Sequence, residues 1–236
     1  MKEHAPAIDF NNLGQHFICA DCMDGMKQVP DKFFDLAIVD PPYGIGEDGS
    51  KNATRDKLAT ATAYKPFYGN DKSAPDQTYF EQVFRISKNQ IIFGANHFIS
   101  KIPFDSSCWI VWDKQNGETD FADCELAWTS FKRAVRIFRF TWSGMRQGDM
   151  KNREKRIHPT QKPVKLYQWL LKHFAKAGDK ILDTHVGSGS SLIAFHRGGF
   201  DFIGFEIDED YYAGAMERLN IEKLQGDLFM NSKTFA

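Results

Sequence analysis

The spacing of apolar residues predicts alternating strands and helices along the whole chain. Residues 34–40 (Phe-Asp-Leu-Ala-Ile-Val-Asp) form a largely apolar run that stops at an aspartate and a turn, the pattern of a strand buried on both faces. Shorter strands are expected at 16–20, 90–95, 108–113, 180–183 and 202–206, and an antiparallel pair at 125–131 and 134–142. Helices are expected at 23–29, 78–87, 163–175, 190–197 and 209–219. Phe80, Val83 and Phe84 share one face of the second helix. Leu166, Trp169, Leu170 and Phe174 share one face of the third, and Pro163 stands in its first turn. The segment 44–77, rich in Gly, Ala, Thr, Lys and Asp, reads as a long functional loop, and 146–156 as a basic loop without periodicity. The alternation implies an α/β fold with a mainly parallel sheet, in a single domain over 1–236.

Composition narrows the class without changing that picture. A hydrophobic share of 42% and a charged share of 26% are those of an ordinary soluble domain. No apolar stretch is long enough to span a membrane, and the first residues carry no apolar core of a signal peptide, so a cytoplasmic setting with reduced cysteines is expected. Cys19 and Cys22 form a C-x-x-C, but a zinc site needs a second ligand pair. Cys108 and Cys124 lie outside any metal-like spacing, so no metal is expected.

Charge is unevenly distributed. Residues 132–165 hold eleven Lys/Arg against Asp149 and Glu154, a local balance of +9, while the rest of the chain has 19 basic against 29 acidic residues. Phosphate binding responds to local charge, and the interleaved Phe138, Phe140 and Trp142 add stacking surfaces, so this segment points to nucleic acid. Lys132, Arg133, Arg136 and Arg139 are spaced for a ribbon or a helix along DNA; Arg146, Lys151, Arg153, Lys155 and Arg156 are expected to grip phosphate.

Two short motifs carry chemistry. Asp183-Thr184-His185-Val186-Gly187-Ser188-Gly189-Ser190 links a strand to a helix through a Gly-x-Gly turn, and Glu206 ends the next strand nineteen residues after Gly187. Such glycines let the backbone approach a ligand, and a carboxylate at that strand tip can hold both ribose hydroxyls. A dinucleotide would want a third glycine where Leu192 stands; S-adenosylmethionine, lacking a pyrophosphate, tolerates the change. Asp40-Pro41-Pro42-Tyr43 directly follows the buried strand, where an open α/β sheet puts its chemistry. A carboxylate, a carbonyl fixed by two prolines and an aromatic face suit an exocyclic amine on a planar ring.

Taken in order, these motifs resemble the DNA amino-methyltransferases of the permuted (beta) group, in which the catalytic motif precedes the cofactor motif, and especially the small phage-type adenine-N6 enzymes. Asp40-Pro41-Pro42-Tyr43 matches the catalytic motif in full. His158-Pro159-Thr160-Gln161-Lys162-Pro163 is similar to the segment that lines the methionine end of the cofactor, which implies His158, Thr160 and Lys162 as contacts. Residues 19–26 resemble the opening motif, which implies Asp21 and Cys22 near the cofactor's adenine. The resemblance further implies Asp183, His185, Gly187, Ser188, Gly189, Ser190, Glu206 and Ile207 at the S-adenosyl-L-methionine site. It implies a Rossmann-like, mostly parallel seven-stranded sheet with one antiparallel strand, double-stranded DNA as partner, and membership of a restriction-modification system; a homodimer fits the family, and any endonuclease partner is unknown. The 44–77 loop would close over a flipped base and 115–157 would read the DNA.

The chain departs from the pattern where the family usually has Asp-Pro-Phe: here Thr184 and His185 follow Asp183. An aspartate opening the catalytic motif is usual in adenine enzymes that resemble this one, and serine in the permuted cytosine-N4 enzymes, so adenine N6 is expected. The alternatives are cytosine N4, a protein glutamine or RNA acceptor, and a non-catalytic DNA-binding subunit. Glu125 is expected at the active-site rim or as a surface strand carboxylate.

Overall fold

The structure is a computed structural model that describes residues 6, 8–46, 71–117, 122–143 and 146–232. In chain order the elements are β1 (Gln15–Cys19), α1 (Cys22–Met26), β2 (Phe34–Val39), α2 (Gln77–Ile86), β3 (Ser87–Phe93), β4 (Trp109–Asp113), β5 (Cys124–Thr129), β6 (Arg136–Arg139), β7 (Trp142–Ser143), β8 (Arg146–Gln147), α3 (Val164–Phe174), β9 (Lys180–Asp183), α4 (Ser190–Arg197), β10 (Asp201–Glu206) and α5 (Glu209–Ser232). Eight strands form one sheet in the order β1-β10-β9-β2-β3-β5-β4-β6. Only β5 runs against its neighbours, β3 and β4. The sheet therefore has one strand more than expected and the single antiparallel strand that was expected.

Alternation along the central strands builds two cores. Leu36, Ile38, Ile91, Phe93 and Ile181 face α3 and α4, where Leu166, Leu170, Leu192 and Phe195 close the layer. Ala37, Val39, Ile92, Leu182 and Ile203 face the other way, onto Met26 of α1 and Phe80, Val83 and Ile86 of α2. Burying each of these larger side chains stabilises the fold by about 1.5–3 kcal/mol. Because both faces of β2 are covered, its apolar residues run on without the usual polar alternation.

One pairing differs from the sequence expectation. The segments 125–131 and 134–142 do not form a hairpin: both edges of β5 are taken by β3 and β4, and β6 pairs with β4 in parallel instead. That leaves β6 as the sheet's edge, with Arg136, Ile137 and Arg139 exposed. Helix α5 also runs further than the predicted 209–219. Of the expected 44–77 loop, residues 47–70 lie outside the described residues; of the 115–157 segment, so do 118–121, 144 and 145.

Candidate active site

Five neighbouring strands, β1, β10, β9, β2 and β3, run parallel, so their carboxyl ends share one edge of the sheet. That edge is where an open α/β sheet leaves backbone ends and loops free to meet a ligand. It carries Asp21, Glu206, the Asp183–His185 turn and Asp40 side by side. Ala37 pairs with Leu182, and three further residues along that register set Asp40 beside His185.

A cavity of about 290 Å³ opens at this edge. Asp21, Cys22, His185, Glu206 and Ile207, all expected at the cofactor, line it together. Ala20, Met23, Phe205 and Tyr79 add apolar and aromatic wall, and Pro75, Asp76 and Thr184 complete it. The Asp21 carboxylate caps α1 by accepting from the Met23 backbone N–H at 2.9 Å. Glu206 accepts from the backbone N–H groups of Gly187 at 2.7 Å and Asp208 at 2.9 Å. Burial raises the Glu206 carboxyl and those backbone donors oppose the rise. A chamber with an anionic rim and an apolar floor fits a nucleoside with a vicinal diol, so these residues suit S-adenosylmethionine.

The glycine turn is built for close approach. Gly187 and Gly189 both take positive φ, 55° and 80°, and a Cβ on Gly189 would lie 3.1 Å from the Ala215 side chain of α5. The His158 ring lies 3.7 Å from where a Cβ on Gly187 would sit, and packs against Tyr211 at 4.3 Å. Exposed Thr160 bonds the Nδ1 of His158 through its hydroxyl at 3.1 Å. Ser188 and Ser190 are buried beneath the turn, 3.1 Å from each other and bonded to Arg218, and neither lines the cavity.

Thr184 and His185, the departures from the family pattern, form a chain with Tyr79. The Thr184 hydroxyl lies 2.7 Å from the Tyr79 hydroxyl and 2.9 Å from Nδ1 of His185. Burial depresses His185 to about 4, and Asp183 is pushed up to about 7, also by burial. An unfolded imidazole takes up a proton near 6.5 while the folded one does not until about 4, so this group favours unfolding as pH falls across that window. The melting temperature of His185→Phe relative to wild type should therefore rise between pH 7.5 and pH 4.5. A melting-temperature difference that stays constant over that range would contradict the buried neutral imidazole.

The second group lies at the end of β2. The Tyr43 hydroxyl donates to Oδ1 of Asp40 at 2.8 Å, and the ring stacks on His97 at 5.1 Å. Gly94, with φ of 67°, makes room for that ring: a Cβ there would fall 2.0 Å from it. Lys162 donates from Nζ to Oδ2 of Asp40 at 2.5 Å and pairs with Glu125 at 2.9 Å, and Lys114 holds the other oxygen of Glu125 at 2.6 Å. Burial raises Asp40, against the pull of Lys162; burial would raise Glu125 too, but Lys162 and Lys114 outweigh it and bring Glu125 down to about 2. Pro41 is buried and Pro42 half-buried in the turn between.

Lys162 thus delivers its ammonium to Asp40 and is not among the cavity's lining residues, although the sequence had it beside the cofactor. Lys114, His97, Tyr79, Pro75 and Asp76 were not singled out at all. Their types are ordinary, and only the strand order brings them to this edge.

The basic residues fall in two groups, one around edge strand β6 and one in the segment that packs beside residues 158–164. Arg136 and Arg139 are exposed on edge strand β6, with Arg139 3.5 Å from Asp113. Lys132 and Arg133 precede it, and Arg133 bonds the His173 carbonyl at 2.6 Å and lies over Phe131 and Phe174. Arg146, Lys151, Arg153 and Lys155 are exposed, whereas Arg156 is half-buried over Trp142. Among the described residues no group of three or more His, Cys, Asp or Glu could hold a metal ion, and no helix is long and apolar enough to cross a membrane. Cys22 and Cys108 are buried, Cys19 is exposed, and all four cysteines are free.

The chain is similar to known proteins. M.HpaI of Haemophilus parainfluenzae, a type II methyltransferase, is 26% identical over 250 residues, covering 89% of this chain and 76% of its own. M.HinfI of Haemophilus influenzae, also a type II methyltransferase, is 22% identical over 267 residues, covering 93% and 70%. Among solved structures, the TTHA0409 protein of Thermus thermophilus in complex with S-adenosyl-L-methionine has a TM-score of 0.55 at 19% identity, covering 89% of this chain and 95% of its own. PvuII DNA methyltransferase, which is cytosine-N4-specific, has a TM-score of 0.56 at 13% identity, covering 87% and 89%. These structures share the fold. A family model described as DNA methylase matches residues 70–217, more than half of the sequence and including the glycine turn and Glu206, and the chain belongs to that N6/N4 DNA methylase family.

Proposed function

We propose that the chain is a site-specific methyltransferase that moves a methyl group from S-adenosylmethionine to the exocyclic N6 amine of an adenine flipped out of duplex DNA. The observation that carries this reading is the adjacency of Asp40 to the Glu206-rimmed cavity through neighbouring strands β2 and β9. S-adenosylmethionine, when bound, supplies a methyl group activated by a sulfonium. The residues of this chain supply everything else. Glu206 would accept from the ribose hydroxyls, and Phe205, Ile207 and Cys22, which line the same cavity, would hold the adenine.

The target nitrogen is a weak nucleophile because its lone pair is delocalised into the ring. Two acceptors, the Asp40 carboxylate and the Pro41 carbonyl, take its two hydrogens and favour a pyramidal nitrogen with a localised lone pair. Fixed orientation lowers the barrier. The same acceptors stabilise positive charge as it grows on nitrogen. The N–C bond would form as the bond between sulfur and the methyl carbon breaks, with S-adenosylhomocysteine as the leaving group. The surplus amine proton would pass by way of the Asp40 carboxylate to solvent. Tyr43 offers its ring to the flipped base. The aspartate at the head of the tetrapeptide supports adenine over cytosine. The N4 amine of cytosine, the target of the PvuII enzyme among the structural neighbours, is the second reading.

Regions 44–77 and 115–157 are assigned to closure over the base and to DNA recognition. The exposed Arg146, Lys151, Arg153 and Lys155 support phosphate contact. Reversing these four charges to Glu should weaken duplex binding by about tenfold or more at 0.1 M salt and flatten its salt dependence, each lost phosphate contact lowering the slope by about one. Cofactor affinity should stay as in wild type. Unchanged DNA affinity would remove the segment from the interface. The acceptor is tested by competition: with duplex DNA, RNA and protein offered together, labelled methyl should enter DNA, and label in RNA or protein would refute the proposal.

A further inference from the structure

The reaction above uses Asp40 but leaves the buried charges around it unassigned. Four of them form one chain: Lys114, Glu125, Lys162 and Asp40. Two ammonium groups balance two carboxylates. The Lys162 side chain is only 3% exposed and lies over the Phe93 ring at 5.0 Å, so its charge depends on the Asp40 and Glu125 carboxylates and on the Tyr43 hydroxyl, to which it donates at 3.2 Å. The carboxylate of Asp40 is divided between two donors. Oδ2 faces Lys162 at 2.5 Å, and Oδ1 faces the Tyr43 hydroxyl at 2.8 Å.

We propose that Lys162 is a positioning residue for Asp40, held by Glu125 and Lys114, that commits Oδ2 and leaves Oδ1 as the acceptor for the target amine. The proposal rests on the role of Asp40 given under Proposed function. Lys162 reaches Asp40 from just before α3, while Glu125 comes from β5 and Lys114 from just after β4, so three separate elements fix one carboxylate. Rigid support of this kind is what a reacting group needs to keep its orientation. The Tyr43 hydroxyl now holds the place of the amine. Glu125 Oε2 already lies 3.5 Å from that hydroxyl, so the phenol has a second acceptor when the base arrives.

Lys162 also opposes the protonation of Asp40 that burial favours. A dry site favours the neutral acid, and a protonated Asp40 would accept poorly from an amine. Facing Asp40 are Tyr43, Glu125, Tyr167 of α3, Asp183 of β9, Tyr79 of α2 and Lys162, with His97 behind the Tyr43 ring. Burial and the Glu125 anion oppose ionisation; the Lys162 ammonium in contact and the O–H that Tyr43 donates favour it.

The experiment follows Asp40 itself by carboxyl carbon NMR in the full chain, with Asp40→Asn to identify the resonance. In Lys162→Met the Asp40 carboxyl should titrate at higher pH than in wild type; in Glu125→Gln, which removes a neighbouring anion, at lower pH. Affinity for S-adenosylhomocysteine, measured by calorimetry, should stay within about twofold in both, and turnover of Lys162→Met should fall about tenfold or more with its acid limb moved up. An unmoved titration in Lys162→Met overturns the proposal. So does a loss of S-adenosylhomocysteine affinity that matches the loss of rate, since Lys162 would then be a cofactor ligand. If Lys162→Met does not fold, Glu125→Gln decides by the same titration, because the amide keeps the shape of the side chain. The titration needs no DNA, so a wild-type product on cytosine would overturn the base assignment and leave the anchor standing.

Discussion

Asp40→Ala lowers methyl transfer by about 10²–10³-fold, the size of effect that follows removal of one preorganised polar group facing developing charge, and leaves cofactor affinity unchanged. The structure separates the two effects. Asp40 belongs to the Lys162–Tyr43 group and is not part of the lining of the Glu206 cavity. Stability should fall as well, because Lys162 keeps Glu125 as a partner but the buried cluster loses one of its two carboxylates, so the rate is compared with the melting temperature measured on the same variant. Asp40→Asn should lie between wild type and alanine in base binding, since it keeps an acceptor and loses the charge. A rate for Asp40→Ala within about threefold of wild type would place the chemistry elsewhere.

Glu206→Gln weakens cofactor binding by about 10- to 100-fold, the range for losing a charge-assisted pair of hydrogen bonds worth about 1.5–3 kcal/mol. Two effects add here. The amide has one acceptor oxygen where the carboxylate has two, and those two now hold the Gly187 and Asp208 backbone N–H groups. The substitution therefore loosens the glycine turn as well as the ribose contact. Because burial raises Glu206 above the ordinary glutamate range, cofactor affinity in wild type should also decline on mild acidification, and that decline should vanish in Glu206→Gln. Calorimetric titration across pH with S-adenosylhomocysteine measures both. Equal affinity in variant and wild type would remove Glu206 from the cofactor site.

The order of strands and helices, and the two motif-bearing turns, were legible because local pattern dictates them. Apolar run, stop and turn at 34–43 give β2 and the catalytic tetrapeptide; glycines and Glu206 at fixed spacing give the cofactor edge. Those signals depend on neighbours in sequence. The Lys114–Glu125–Lys162 chain was not legible, because it depends on β5 lying between β3 and β4. Asp113 pairs with Cys124 and Trp112 with Glu125, which brings residues 114 and 125 together only once that register is known. The same cause defeated the expected hairpin of β5 with β6: strand propensity is local, whereas the choice of partner is decided by which edge remains free. The contact of Lys162 with Asp40 was not legible for a related reason, since a motif resemblance says which segment reaches the edge but not toward which neighbour each side chain turns.

The most direct measurement incubates the protein with methyl-labelled S-adenosylmethionine and unmethylated genomic DNA, digests the DNA to nucleosides and identifies the labelled product. The account predicts label on N6-methyldeoxyadenosine. Label on N4-methyldeoxycytidine would contradict the choice of base, and no label in DNA despite bound cofactor would contradict the assignment of the reaction itself.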